Sequence, residues 1–219
     1  MRLSGDRLRW FPLVVKSVIR GAALPALEAQ LAPHLRRVRR PVPASSITDM
    51  TRNYSEALPK STHNSTVFLD NPRTAAARAA SAMGLTAFLR SRSLREFAEH
   101  VSGFALEPSP GLQAIRYAAG DYVGPHNDHH PEQPHLRNGY VDLQITLSHD
   151  AVARQYLLYE RDGYFNQMVN IGIPSGVSVS RLPFWHQVTP LEARRGGEAA
   201  ACRWLLLVSF VCKEENLPL

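Results

Sequence analysis

At 219 residues, with 44% hydrophobic and 20% charged side chains, the chain is long enough to bury one sizeable core and short for two ordinary domains. It is too apolar to be disordered or collagen-like. The formal net charge of +6 is carried almost wholly by Arg, since Lys occurs only at Lys16, Lys60 and Lys213; such a balance suits anionic ligands, nucleic acid among them.

No apolar stretch approaches the roughly 20 residues of a membrane span. Lys16 and Arg20 interrupt the apolar patch from Trp10 to Val15, and no small-residue cleavage site follows it, so a cytoplasmic protein without a membrane partner is expected. From Pro12 to Leu35 apolar residues recur at helical spacing (Val15, Val18, Ile19, Ala22, Ala23), with Pro25 as a first-turn residue or break, which predicts one or two helices. Arg36, Arg37, Arg39 and Arg40 form the one compact basic run, read first as a solvated face and second as a contact for nucleic acid or a membrane surface. Pro41 to Thr66, rich in Pro, Ser, Thr and Asn, reads as a loop leading into a short strand at Val67 to Leu69. Arg73 to His100 is rich in Ala, Leu and Arg with apolar periodicity, predicting a helix pair broken near Gly84 or Ser91.

Beyond Gly111 the pattern changes to short apolar strands: Leu112 to Ala118, Tyr140 to Ser148, Gln155 to Glu160, Tyr164 to Ile173, Val177 to Leu182, Trp185 to Thr189 and Arg203 to Cys212. Asp162-Gly163 is a two-residue hairpin signal, and Pro174-Ser175-Gly176 a turn before the next strand. With no helix of useful length between these strands, the expected class is mainly β (α+β): an antiparallel jelly roll over residues 111–219, flanked by an N-terminal helical scaffold over residues 1–110, in one structural domain. Cys202 and Cys212 lie in or beside one strand, roughly 30 Å apart at about 3.3 Å per residue, so both are expected as free thiols.

The chemistry-bearing residues cluster in the second half. In Tyr117-Ala-Ala-Gly-Asp-Tyr-Val-Gly-Pro-His126-Asn-Asp128 a His and an Asp lie two residues apart in an extended stretch, where period 2 aims both side chains to one face. Imidazole and carboxylate together suit Fe(II), Mn(II) or Zn(II), and His186, in Phe184-Trp-His-Gln-Val-Thr-Pro190, is the third candidate ligand. Two His and one carboxylate leave adjacent positions open on an octahedral ion, room for a chelating oxo acid and O₂. A chelating diacid needs a cation for its far carboxylate, and the Arg fork is preferred. Arg203 opens the last apolar strand; Arg194 and Arg195, in a Gly-rich turn, are its rivals.

These pieces together resemble the 2-oxoglutarate and iron(II) dependent oxygenase superfamily, in particular its prolyl-hydroxylase-like branch. The resemblance rests on the Tyr-x-x-Gly run (Tyr117 to Gly120), the His126 and Asp128 pair, the His-x-Val-x-Pro run (His186, Val188, Pro190) and the Arg opening the final strand (Arg203 to Phe210). It covers about half the chain and implies a double-stranded β-helix. It also implies Fe(II) on His126, Asp128 and His186, and 2-oxoglutarate held by Arg203, with Tyr117 and Thr146 at positions that commonly hydrogen-bond this cosubstrate. O₂ and, as an auxiliary reductant, ascorbate complete the set. The implied reaction is hydroxylation, favoured over halogenation because Asp128 keeps the carboxylate.

The substrate class this leaves is a small molecule, an amino acid or a peptide; the sequence gives no oligomeric state. Two rivals stand beside this reading. A nucleic-acid demethylase of the same superfamily fits the charge but lacks the second Arg and its Asn and Thr companions after Arg203. A cupin-like metal or ligand binder would share the barrel but have no use for Arg203. His129, His130 and His135 read first as a solvated loop that Pro131 and Pro134 keep irregular, and second as extra metal or substrate ligands. Tyr122, Tyr140, Tyr159 and Tyr164 read first as strand packing and second as substrate contacts.

Overall fold

A computed structural model describes residues 13–16, 23–41, 61–128, 139–161, 164–182 and 184–213. The first half supplies strand β1 (Leu13–Lys16), helix α1 (Ala23–Gln30), strands β2 (Arg36–Pro41) and β3 (Ser61–Phe68), and helices α2 (Ala75–Ala82), α3 (Leu85–Leu89) and α4 (Arg92–Ser102). Among the described residues the regular elements of the second half are strands: β4 (Gly111–Ala118), β5 (Tyr122–His126), β6 (Tyr140–Ser148), β7 (Val152–Arg154), β8 (Tyr156–Arg161), β9 (Tyr164–Asn170), β10 (Ser175–Leu182), β11 (His186–Val188), β12 (Glu192–Ala193) and β13 (Cys202–Val211).

Eight of these strands form the jelly roll. One run pairs in the order β10-β6-β13-β4 and the other in the order β5-β11-β8-β9, every pairing antiparallel. Strand β3 joins the two runs, since its Ser65–Phe68 half pairs with β4 and its Thr62 and His63 pair with β5. β1 extends the first run beyond β10, β2 pairs along β3, and β12 pairs with β7 in a separate two-stranded sheet.

The two faces of the first run do different work. Along β13, Trp204, Leu206, Val208 and Phe210 join the core formed with α1, α2, α3 and α4, whereas Arg203, Leu205, Leu207 and Ser209 line a cavity on the opposite face. A strand with both faces covered reads as a near-continuous apolar run, which is why β13 was legible as a strand. The helices break where expected and at both candidates: Gly84 stands in the left-handed region (φ 76°) between α2 and α3, and Ser91 caps α4 by accepting from the Leu94 amide.

Some expectations need correction. Helix was predicted over Pro12 to Leu35, but Leu13–Lys16 is strand β1, paired with β10; among the described residues of this span the helical parts are α1, with Pro25 in its first turn, and a 3-10 turn at Ala32–His34. Pairing with a distant strand overrides local periodicity here. The predicted loop from Pro41 to Thr66 contains most of β3, and the strand expected at Val67 to Leu69 is its end. The basic run is strand β2, where Arg37 pairs with Asp121 and Arg40 lines the cavity mouth. Three strands from the part read as helical scaffold thus belong to the main sheet. The two cysteines are free and buried. Asp162-Gly163 lies outside the described residues, but the strands either side pair antiparallel, with Arg161 opposite Tyr164.

Candidate metal centre

His126 ends β5 and His186 begins β11, and the two strands pair so that these residues stand directly opposite one another. Their rings lie 4.1 Å apart between centroids. Each Nδ1–H donates to the carbonyl two residues earlier, His126 to Gly124 and His186 to Phe184, both at 2.8 Å. Those bonds fix the tautomers and leave both Nε2 lone pairs facing Asp128, whose Oδ2 is 3.5 Å from His126 Nε2 and 3.4 Å from His186 Nε2. The three candidate ligand atoms fall within 4.8 Å of one another. That spacing suits atoms each about 2.0 to 2.2 Å from a shared ion.

Asp128 reaches this place differently from the sequence expectation. Strand geometry ends at His126, and Asp128 has φ 53°, the left-handed conformation that Asp tolerates better than most residues. The carboxylate is therefore aimed by a turn and not by strand alternation. Tyr140 on β6 donates from its hydroxyl to the Asp128 carbonyl at 3.0 Å, and Phe184 stacks on His186.

Electrostatics agree with metal ligation. Burial, helped by the neighbouring His126, pushes His186 down to about 4, keeping its imidazole neutral. Burial also works against charge on His126, but the Asp128 carboxylate and the Gly124 carbonyl outweigh it and raise its pKa. A cation at the centre would take the place of the proton that Asp128 otherwise draws there.

The same cavity, about 660 Å³, is lined by His126, Asp128, His186, Tyr117 and Arg203. Arg203 is 1% exposed. Its Nε donates to Gln155 Oε1 at 2.6 Å, its Nη1 donates to Thr146 Oγ1 at 3.3 Å, and its guanidinium lies 4.5 Å above the Tyr117 ring. Its Nη2 is buried with no partner. Burial lowers its pKa only to about 10, so it stays charged at neutral pH. A buried cation with an orphaned donor and no carboxylate beside it among the described residues fits a ligand carboxylate. Arg194 and Arg195 are exposed and do not line the cavity.

The sequence did not single out Gln155 or Asn64. Gln155 is fully buried, and its amide donates to the carbonyls of Asp121 and Thr189, which turns Oε1 towards Arg203. Gly172 lets the two backbones approach closely at this point: a Cβ there would meet the Gln155 backbone nitrogen at 2.5 Å. Asn64 on β3 lines the cavity with its Oδ1 buried and unpartnered. Of the tyrosines weighed earlier, Tyr122 stacks on His63, Tyr159 packs edge-on against Phe184, and Tyr140 lines the cavity. His129, His130 and His135 lie outside the described residues.

No protein-family model matches the sequence, and no curated protein matches it. Solved structures do resemble the fold. A 2OG-Fe(II) oxygenase family oxidoreductase from Burkholderia pseudomallei aligns at 12% identity and TM-score 0.55, covering 91% of this chain and 84% of its own. A prolyl-4-hydroxylase from Pseudomonas putida aligns at 13% identity and TM-score 0.54, covering 95% of this chain and 97% of its own. A Trichoplax adhaerens prolyl hydroxylase, solved with a peptide fragment of the hypoxia inducible factor oxygen degradation domain, aligns at 12% identity and TM-score 0.52, covering 93% and 84%. With its paired four-stranded runs enclosing the His126, Asp128 and His186 cluster, the chain has the jelly-roll fold of the 2-oxoglutarate and iron(II) dependent oxygenases, prolyl hydroxylases among them.

Proposed function

We propose that this chain is an Fe(II) and 2-oxoglutarate dependent dioxygenase that hydroxylates an unactivated C–H bond of a small molecule, amino acid or peptide. The observation that carries this is one cavity holding both the His126, Asp128 and His186 cluster and the buried guanidinium of Arg203 with its free Nη2. A metal-binding barrel without a diacid ligand would have no use for that cation, which costs free energy to bury unpaired.

Two His and one carboxylate fit Fe(II) and leave a set of positions for a chelating ligand. Once bound, Fe(II) with O₂ and 2-oxoglutarate supplies an oxidant able to take hydrogen from an unactivated C–H bond, the oxo acid leaving as succinate and CO₂. The protein's part is placement. Arg203 takes the far carboxylate of the oxo acid through its fork, Gln155 and Thr146 hold that fork in one orientation, and Tyr117 supports it from beneath. Gly124 and Phe184 hold the two imidazoles in the ligating tautomer, and the apolar wall of Val123, Leu157 and Val188 limits water.

The test is calorimetry under anaerobic conditions, followed by succinate release in air. The wild-type chain should bind 2-oxoglutarate tightly only when Fe(II) is present. His126→Ala and His186→Ala should lose Fe(II) binding without losing the fold. Arg203→Ala should keep Fe(II) affinity while weakening 2-oxoglutarate about ten- to a hundredfold, the cost of a charge-assisted pair. Full iron occupancy in either His variant would remove the proposed centre.

A further inference from the structure

The interior face of β6 carries a charged group that the chemistry above does not use. Val141, Leu143, Ile145 and Leu147 point into the helix-side core, while Asp142 and Gln144 line the cavity. Asp142 is 4% exposed, and its Oδ1 accepts a hydrogen bond from Ser209 on β13 at 2.6 Å. Its other oxygen has no protein partner, and no cation pairs with it, among the described residues. Gly111 stands opposite Ser209 on β4 and contributes no side chain to cover the pair. Arg40 reaches the same cavity from its exposed rim but makes no ion pair with Asp142.

The position along the sheet is informative. Paired residues on β6 and β13 run from Ser148 opposite Arg203 to Asp142 opposite Ser209, six residues or roughly 20 Å of strand at about 3.3 Å each. Tyr140, two residues before Asp142, is the residue that holds the Asp128 carbonyl. The cavity is therefore polarised, with the buried guanidinium of Arg203 and the buried carboxyl of Asp142 set apart along it, and the candidate metal ligands line the same cavity.

We propose that Asp142 is the specificity-determining residue of the substrate chamber, and that the substrate carries a cationic nitrogen, an ammonium or guanidinium group, which this carboxylate takes. The inference rests on the oxygenase reading above and narrows it to a basic substrate whose reacting carbon lies over the His126, Asp128 and His186 cluster. Burial pushes the Asp142 carboxyl up to about 7, with Asp128 adding to the rise, as expected of an acid kept from water without a counter-charge. An entering cation supplies that charge and a donor for the second oxygen, whereas a neutral hydroxyl supplies the donor alone.

The test uses the full chain and two pairs of probes matched in size: n-butylguanidinium against n-butylurea, and n-pentylammonium against n-pentanol, titrated by calorimetry with Fe(II) and 2-oxoglutarate present under anaerobic conditions and again without them. The cationic member of each pair should bind at least about tenfold more tightly than its neutral partner. Asp142→Asn, which keeps the shape, should erase the preference while leaving 2-oxoglutarate binding unchanged, and Ser209→Ala should weaken the preference. Equal binding of neutral and cationic probes, a preference that survives in Asp142→Asn, or no binding of either cation would overturn the proposal. If the wild type prefers cations but does not bind 2-oxoglutarate with Fe(II), the oxygenase reading falls and the cation site stands.

Discussion

Gln155 shows how a single uncharged side chain can set the aim of a charged one. Its amide nitrogen is committed to two carbonyls on other segments, Asp121 and Thr189, so its oxygen has one direction left, and Arg203 lies there. Nothing in the sequence separates this Gln from any other polar residue at the start of a strand, because its role depends on three segments meeting in space. Gln155→Leu fills the same volume and removes the acceptor, so the guanidinium gains a second buried donor without a partner and loses its fixed orientation. We expect the Kd for 2-oxoglutarate to rise about tenfold with Fe(II) affinity unchanged, and direct titration of each ligand separates this positioning effect from general loss of structure, which would weaken both.

At the scale of elements, α1 is attached to the sheet through one carboxylate. Glu28 Oε1 accepts from Trp204 Nε1 at 2.6 Å, from Arg116 Nε at 2.8 Å and from Cys202 Sγ at 3.2 Å, so β13 and β4 are both tied to the helix that covers them. Burial alone would raise the Glu28 pKa, but these donors outweigh it and lower it. Glu28→Ala leaves the indole N–H of fully buried Trp204 unpaired, a cost of about 1 to 3 kcal/mol, and at about 2 to 4 °C per kcal/mol for a chain of this size the melting temperature should fall by several degrees. Glu28→Gln keeps an acceptor and should cost less; equal melting of all three proteins would show that the clamp contributes nothing. Elements with both faces buried, such as β13, were legible as apolar runs. β2 and β3 were not, since Arg36 to Arg40 and Ser61 to Thr66 carry little apolar signal; β3 becomes a strand through pairing with β4 and β5, and β2 through pairing with β3.

For the molecule as a whole, the jelly roll reverses the usual meaning of strand alternation. On β6 the apolar residues face the helices and the polar ones, Asp142, Gln144 and Thr146, face the interior of the barrel, so a pattern that ordinarily marks a solvent face here marks the cavity. His126, Asp128, His186 and Arg203 were legible as candidates because their residue types and order are unusual together, and they line one cavity. Asp142 was not, because one Asp in an alternating strand looks like any solvated position. That burial has a global consequence. With a folded pKa of about 7 against an ordinary value of 3.8, Asp142 binds its proton more tightly in the folded chain than in the unfolded one. The stability it contributes is then fully present below about pH 4 and is lost as pH rises through about 7. Asp142→Asn cannot lose a proton, so in metal-free protein without ligand its unfolding free energy should gain on the wild type between about pH 4 and 7 and stay ahead above that. Urea unfolding at pH 5 and pH 8 checks it: a variant more stable at pH 8, and by a smaller margin at pH 5, is expected, and a margin that does not change with pH would mean that Asp142 titrates normally and is not held away from water.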